Sequence, residues 1–151
     1  MIAACPPLDR NSRYCNLVQC EHFAEQCVVA QAAGRTIGWV SGHRPPTDPG
    51  ALFIWQVAVA PGGRGKRLAS RMIDDLLARP AQLDVTHLVT TITEDNAASW
   101  RLFGGLARDW NATLERRPLF ERETHFDGEN ATEHLVRIAP IHRPTLFNQR
   151  G

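Results

Sequence analysis

Hydrophobic and polar positions follow two rhythms along this chain of 151 residues. A period near 3.6 marks an amphipathic helix. A period of two, or a short unbroken apolar run, marks a strand. In "DRNSRYCNLVQC", Tyr14, Leu17 and Val18 share one helical face, and Asp9 or Asn11 is placed to cap that helix. "CVVAQAAGRTIGWVSGHRPP" reads as two strands around a turn at Gly34. "ALFIWQVAVAP" is apolar on both alternating sets, which predicts a central strand covered on both sides and ended by Pro61. After Gly65, the residues Leu68, Met72, Ile73, Leu76 and Leu77 form a helical stripe that stops at Pro80. "VTHLVTTIT" is rich in β-branched residues. Asp95 or Asn96 then caps a helix with Phe103, Leu106, Ala107 and Trp110 on one face. Gly104 and Gly105 each cost that helix ~1 kcal/mol relative to alanine, which predicts close packing there. "EHLVRIAPI" is a late strand. The order of elements is that of one α+β domain of α/β type, residues 1–151, with a mixed sheet.

Composition narrows the function classes. The chain is 43% hydrophobic and 22% charged, as ordinary globular proteins are. Its formal net charge is +1, so nothing global favours nucleic acid. No apolar run approaches the ~18 residues that span a membrane, and "MIAACPPLD" lacks the features of a signal peptide. Cys5, Cys15, Cys20 and Cys27 have no C-x-x-C spacing, so no metal site is expected, and reduced thiols in a cytoplasmic protein are.

The candidate chemistry lies in "WQVAVAPGGRGKRLA", residues 55–69. A helix start offers unpaired N–H groups and about half a positive charge, and glycines let a phosphate approach that backbone. The Walker pattern fails at Ala60 and Arg67, and the dinucleotide pattern fails at Leu68. A third layout, R/Q-x-x-G-x-G/A, fits Arg64, Gly65, Lys66, Arg67, Leu68 and Ala69 except that Arg67 stands in place of glycine. On these residues alone, a glycine-rich turn with a solvated basic helix start is the alternative reading.

That third layout resembles the pyrophosphate loop of the GNAT acetyltransferases, which use acetyl-coenzyme A. "DNAASWRLF" resembles the family's next helix start, which implies coenzyme contacts for Asn96, Ser99 and Phe103. The combination of "CPPLDRNSRYCNLVQCEHFAE", "LFIWQVAVAP", "TTIT" and "HLVRI" is similar to the L-2,4-diaminobutyrate Nγ-acetyltransferases of ectoine synthesis. The resemblance implies a GNAT fold, a mainly antiparallel sheet flanked by helices, and a homodimer. It further implies that Asp9, Tyr14, Trp55, Asn130 and Glu133 face the amino-acid substrate, with Tyr14 and Trp55 in catalytic positions. Backbone groups of Val57 and Val59 would pair with the pantetheine arm. Neither nucleic acid nor membrane is implied as a partner. Another small amine as acceptor, or a coenzyme-A-binding module, are the alternatives.

Several positions depart from that family's pattern. Arg67 replaces the loop glycine. Val89 stands where the family carries a glutamate, Asn130 where it carries a histidine, and Phe103 where many relatives carry a tyrosine. Neither a valine nor an amide takes up a proton at neutral pH. Only four residues precede Cys5, so the fold is expected to lack the usual first strand and helix, leaving "CVVAQAA" as an exposed edge.

Overall fold

The computed structural model describes residues 12–141. These form a six-stranded sheet in the order β1-β2-β3-β4-β6-β5. Its strands are β1 (Val28–Ala32), β2 (Arg35–His43), β3 (Ala51–Val59), β4 (His87–Thr93), β5 (Thr113–Phe120) and β6 (Glu133–Ala139). The helices are α1 (Arg13–His22), α2 (Leu68–Ala78), α3 (Ala97–Asp109) and the short α4 (Arg122–Phe126). Every neighbouring pair is antiparallel except β3 and β4. The sheet is therefore mixed and mainly antiparallel, as expected.

The two long helical stripes account for the core. Met72, Ile73, Leu76 and Leu77 of α2 are buried, and so are Phe103, Leu106 and Ala107 of α3. They meet Val40, Leu52, Ile54, Leu88, Val136 and Ile138 on one face of the sheet. Each fully buried aliphatic side chain stabilises by about 1.5–3 kcal/mol. On the opposite face, Phe23 packs against the smaller cluster of Cys27, Trp39 and Ala58. Burial there pushes the Cys27 thiol above its ordinary pKa.

The structure corrects three local expectations and adds two elements. The cap of α1 is Ser12, whose hydroxyl accepts from the Cys15 N–H at 3.1 Å, because the helix starts later than an Asp9 or Asn11 cap requires. The α1 apolar stripe is not a core face: Tyr14 is 76% exposed and Leu17 61%. Gly104 and Gly105 are not in tight contact. A Cβ on either would meet only the flexible Arg108 side chain, at 3.6 and 3.9 Å. β5 and α4 were not anticipated. "TLERRPLF" exposes most of its residues at the sheet edge, so no hydrophobic alternation marks it. At the other edge, β1 occupies the border of the described sheet.

Candidate active site

The site begins where the parallel pair opens. β3 and β4 pair only from Ala51/His87 to Phe53/Val89. Beyond that point the strands part. The last link across the gap is a side chain: the buried Thr90 hydroxyl donates to the Ile54 carbonyl at 2.9 Å. An opening of this kind leaves one edge of β3 without a backbone partner on β4.

A bulge decides which residues present that edge. The β2/β3 register shifts between Ser41, which opposes Gln56, and Gly42, which opposes Ile54, so Trp55 is the extra residue. The Ala60 N–H donates to the Ile37 carbonyl at 2.8 Å, so its backbone groups turn towards β2. Counting back in twos, Ala58 and Gln56 also turn to β2, while Val59 and Val57 turn to the gap. The contact from Arg64 Nε to the Val59 carbonyl, 3.2 Å, fits that direction. Side chains change phase in the same way: Ile54, then Val57 and Val59, face the α2–α3 core. The bulge thus aims the Val57 and Val59 backbone into the opening.

Next along the chain is the turn into α2. Gly65 has φ 73° and Arg67 has φ 55°, both left-handed. Arg67 is the residue immediately before α2. For a non-glycine residue that conformation costs roughly 1–2 kcal/mol, which is why glycine would be easier there. The Arg67 guanidinium forms an ion pair with Asp109 at the end of α3. Lys66 Nζ donates to the Gly62 carbonyl at 3.3 Å. The α2 start and the basic side chains of Arg64, Lys66 and Arg67 together form a chemistry suited to an anion, although none of residues 64–69 lines the cleft along the gap.

A cleft of about 480 Å³ runs along the gap, lined by Trp55 and Val57 on one wall and by Asn96, Ser99 and Phe103 on the other. Asn96 caps α3, its side chain accepting from the Ser99 N–H at 3.1 Å, so one residue serves both the helix and the cleft wall. Phe103 is 3% exposed and closes the floor. Asn130 and Glu133 form the rim, from the α4–β6 connection and the start of β6. Leu68 and Ala69 open α2. Tyr14, on α1, lines neither this cleft nor its neighbour. Asp9 lies outside the described residues.

Trp55, 48% exposed, stands between this cleft and a second, more apolar one of about 670 Å³. The second cleft includes Phe53, Val89, Thr91, Phe120 and His43. Val89, buried in this wall, places no carboxylate there. His43 was missed in the sequence. The hint was the alternation Trp39, Ser41, His43, which puts the imidazole on the Trp39 face of β2. Burial lowers the His43 pKa below the ordinary imidazole value of 6.5.

Known proteins share both the sequence and the fold. The acetyltransferase (GNAT) family model matches residues 2–105. The L-2,4-diaminobutyric acid acetyltransferase of Methylotuvimicrobium alcaliphilum is 46% identical over 141 residues, covering 93% of this chain and 82% of that protein. The Vibrio cholerae enzyme of the same name is 47% identical over 138 residues, covering 91% and 80%. The solved structure of the diaminobutyrate acetyltransferase EctA from Paenibacillus lautus, in complex with L-2,4-diaminobutyric acid and coenzyme A, superposes with a TM-score of 0.84. It is 33% identical, with 91% of this chain and 83% of that one covered. Ard1 from Thermoplasma volcanium, 16% identical with a TM-score of 0.68, shares the fold. With a parted β3/β4 pair, a bulge at Trp55 and relatives matched over most of their length, the chain belongs to the GNAT acetyltransferase family, in its diaminobutyric acid acetyltransferase branch.

Proposed function

We propose that this protein transfers the acetyl group of acetyl-coenzyme A to the γ-amino group of L-2,4-diaminobutyrate. The observation that carries the reading is the parted β3/β4 pair whose bulge turns Val57 and Val59 into the gap, with Trp55 at the meeting of two clefts. Coenzyme A fits as an added strand along that edge, its pyrophosphate at Arg64–Ala69 and the start of α2. Asn96, Ser99 and Phe103 wall its arm.

The amine attacks the thioester directly: the C–N bond forms as the carbonyl π pair moves to oxygen, and the C–S bond breaks as that oxyanion collapses. An N–H of the parted edge, at Val57, is placed to stabilise the oxyanion. Trp55 walls the acceptor pocket, and Glu133 and Asn130 at the rim suit an ammonium and a carboxylate respectively. Contacts of Asp9 and Tyr14 with the amino-acid end follow from the resemblance, and with Phe103 unable to donate a proton, Tyr14 or solvent protonates the thiolate. A homodimer and a cytoplasmic setting follow from the resemblance too. Sedimentation of the purified chain tests the first, with a monomer at micromolar concentration as the contrary result.

The deciding assay incubates acetyl-coenzyme A with diaminobutyrate. It follows free thiol and identifies the product by mass spectrometry. Nγ-acetyl-diaminobutyrate is expected. Ornithine or a polyamine as the better acceptor would reassign the substrate. Stabilisation by coenzyme A with no product from any amine would leave a binding module in place of an enzyme.

A further inference from the structure

An acetyl transfer to an ammonium group needs a base, and neither Val89 nor Asn130, which line the two clefts, takes up a proton at neutral pH. The second cleft offers one. His43 ends β2 directly opposite Phe53 of β3. Its ring lies 5.0 Å from that of Phe53, tilted by 38°. The Trp55 ring stands edge-on to it at 6.2 Å and 71°, and the Phe23 ring at 6.2 Å and 60°. Three aromatic rings from two segments, β3 and the Phe23 turn, therefore hold one imidazole in place. His43 lines the same cleft as Trp55 and Thr91, and both of those also line the cleft along the β3/β4 gap.

We infer that His43 is the proton acceptor for the amine that attacks the thioester. The inference rests on the acetyl-transfer reading above. The cleft has few competitors for the role. Asp48 is its one charged side chain among the described lining residues, and its Oδ2 is engaged by His87 Nε2 at 2.9 Å. Arg44, next along the chain, is turned to Asp84 in a two-pronged contact at 2.9 Å. β3 and β4 present Ala51, Phe53, Trp55, Val89 and Thr91 to this space, β5 and β6 add Leu119, Phe120 and Leu135, and Phe23 packs on the ring from its turn; none of these titrates. Burial among these groups favours the neutral ring, the form that accepts a proton at pH 7.

The balance runs as two proton transfers. A ring nitrogen of His43, directly or through one water, takes the first proton from the substrate ammonium, leaving an amine lone pair. That pair forms the C–N bond at the thioester carbon. As the C–S bond breaks, the second nitrogen proton leaves and the departing thiolate gains one. His43 returns its proton to solvent, so one proton is released per turnover.

The test measures kcat for diaminobutyrate from about pH 5 to about pH 9 in the wild type, His43→Gln and His43→Ala, with coenzyme A affinity measured alongside. The wild type is expected to lose kcat on the acid side through one ionisation below pH 6.5. His43→Gln is expected to lose roughly 10²–10⁴-fold in kcat with coenzyme A affinity unchanged. Added imidazole is expected to restore part of the His43→Ala activity. Retention of kcat within about threefold, with the acid limb intact, overturns the inference while leaving the acetyl-transfer reading in place. So does a Glu133→Gln variant that abolishes the limb while both His43 variants keep it. A wild type that binds coenzyme A but acetylates no diaminobutyrate overturns both.

Discussion

Gly42 offers the sharpest test of how the bulge builds the site. It is buried opposite the point where Trp55 is inserted into β3. A Cβ on Gly42 would lie 2.4 Å from the Phe53 carbonyl oxygen and 3.3 Å from that of Gln26. Both are backbone atoms, so neither can rotate away. To reach even 3.0 Å the Phe53 carbonyl has to retreat by 0.6 Å, and it belongs to the last residue that pairs with β4. Overpacking of this kind costs about 1–3 kcal/mol. For a domain of this size, about 2 kcal/mol lowers Tm by roughly 4–8 °C. Gly38 supplies the control. A Cβ there meets Met72 Sδ at 2.7 Å and Cε at 2.8 Å, the far end of a flexible side chain, and the Ala30 Cβ at 3.1 Å, which needs a shift of only a few tenths of an ångström. Gly38→Ala should therefore cost less than about 1 kcal/mol once Met72 changes rotamer. The assay is urea unfolding of the wild type and both variants, with coenzyme A titrated calorimetrically into each. Gly42→Ala should lose stability by the amount above and coenzyme A affinity by at least tenfold, because the displaced strand carries the Val57 and Val59 edge with it. A Gly42→Ala protein as stable as Gly38→Ala, with unchanged coenzyme A affinity, would refute the link between bulge and opening.

Gly104→Ala and Gly105→Ala should each stabilise by up to ~1 kcal/mol, visible as a Tm higher by about 2–4 °C, since a helical interior gains from alanine and the added Cβ has room. A fall in Tm would show that α3 is packed there after all. Arg67→Gly relieves left-handed strain but loses an exposed ion pair with Asp109 and gains unfolded-state entropy, so its net stability change should stay within about 1 kcal/mol. Its coenzyme A affinity, measured at low salt, should weaken by no more than about fivefold; a tenfold tightening would mean that the side chain obstructs the loop. The lowered His43 pKa makes the unfolded chain the better proton binder between the folded value and 6.5. Stability should therefore be fullest above pH 6.5 and decline as pH falls through that window, and His43→Phe should flatten the decline in a pH series of urea melts.

Much of this architecture was legible in the residues. The α2 and α3 stripes are long and strictly periodic, so helical spacing alone assigns Met72, Ile73, Leu76, Phe103 and Leu106 to the core. The Gly34 turn and the apolar β3 run were equally plain, because turn chemistry and hydrophobic continuity are local. β5 was not, since an edge strand whose side chains mostly meet water needs no alternation. The α1 stripe misled for the converse reason: Tyr14 and Leu17 have helical spacing, but no element of the described fold covers them.

The site divides along the same line. The sequence by itself determined the chemical inventory: a glycine turn before a basic helix start, a capping Asn96, a tryptophan on a central strand, and Arg67 in a glycine's place. Only the tertiary structure decided how these act together. Whether Val57 and Val59 face the gap depends on one extra residue in a register shared with β2. A shift by one residue reverses which way every backbone group points, and local sequence does not encode its partner's phase. Arg67 is an oddity in the sequence but an ion-paired, left-handed residue in the fold. His43 becomes a candidate base only because three aromatic rings, brought from residues 23, 53 and 55, surround it. Burial and mutual distance are properties of the packed chain, and they decide which titratable groups can do chemistry.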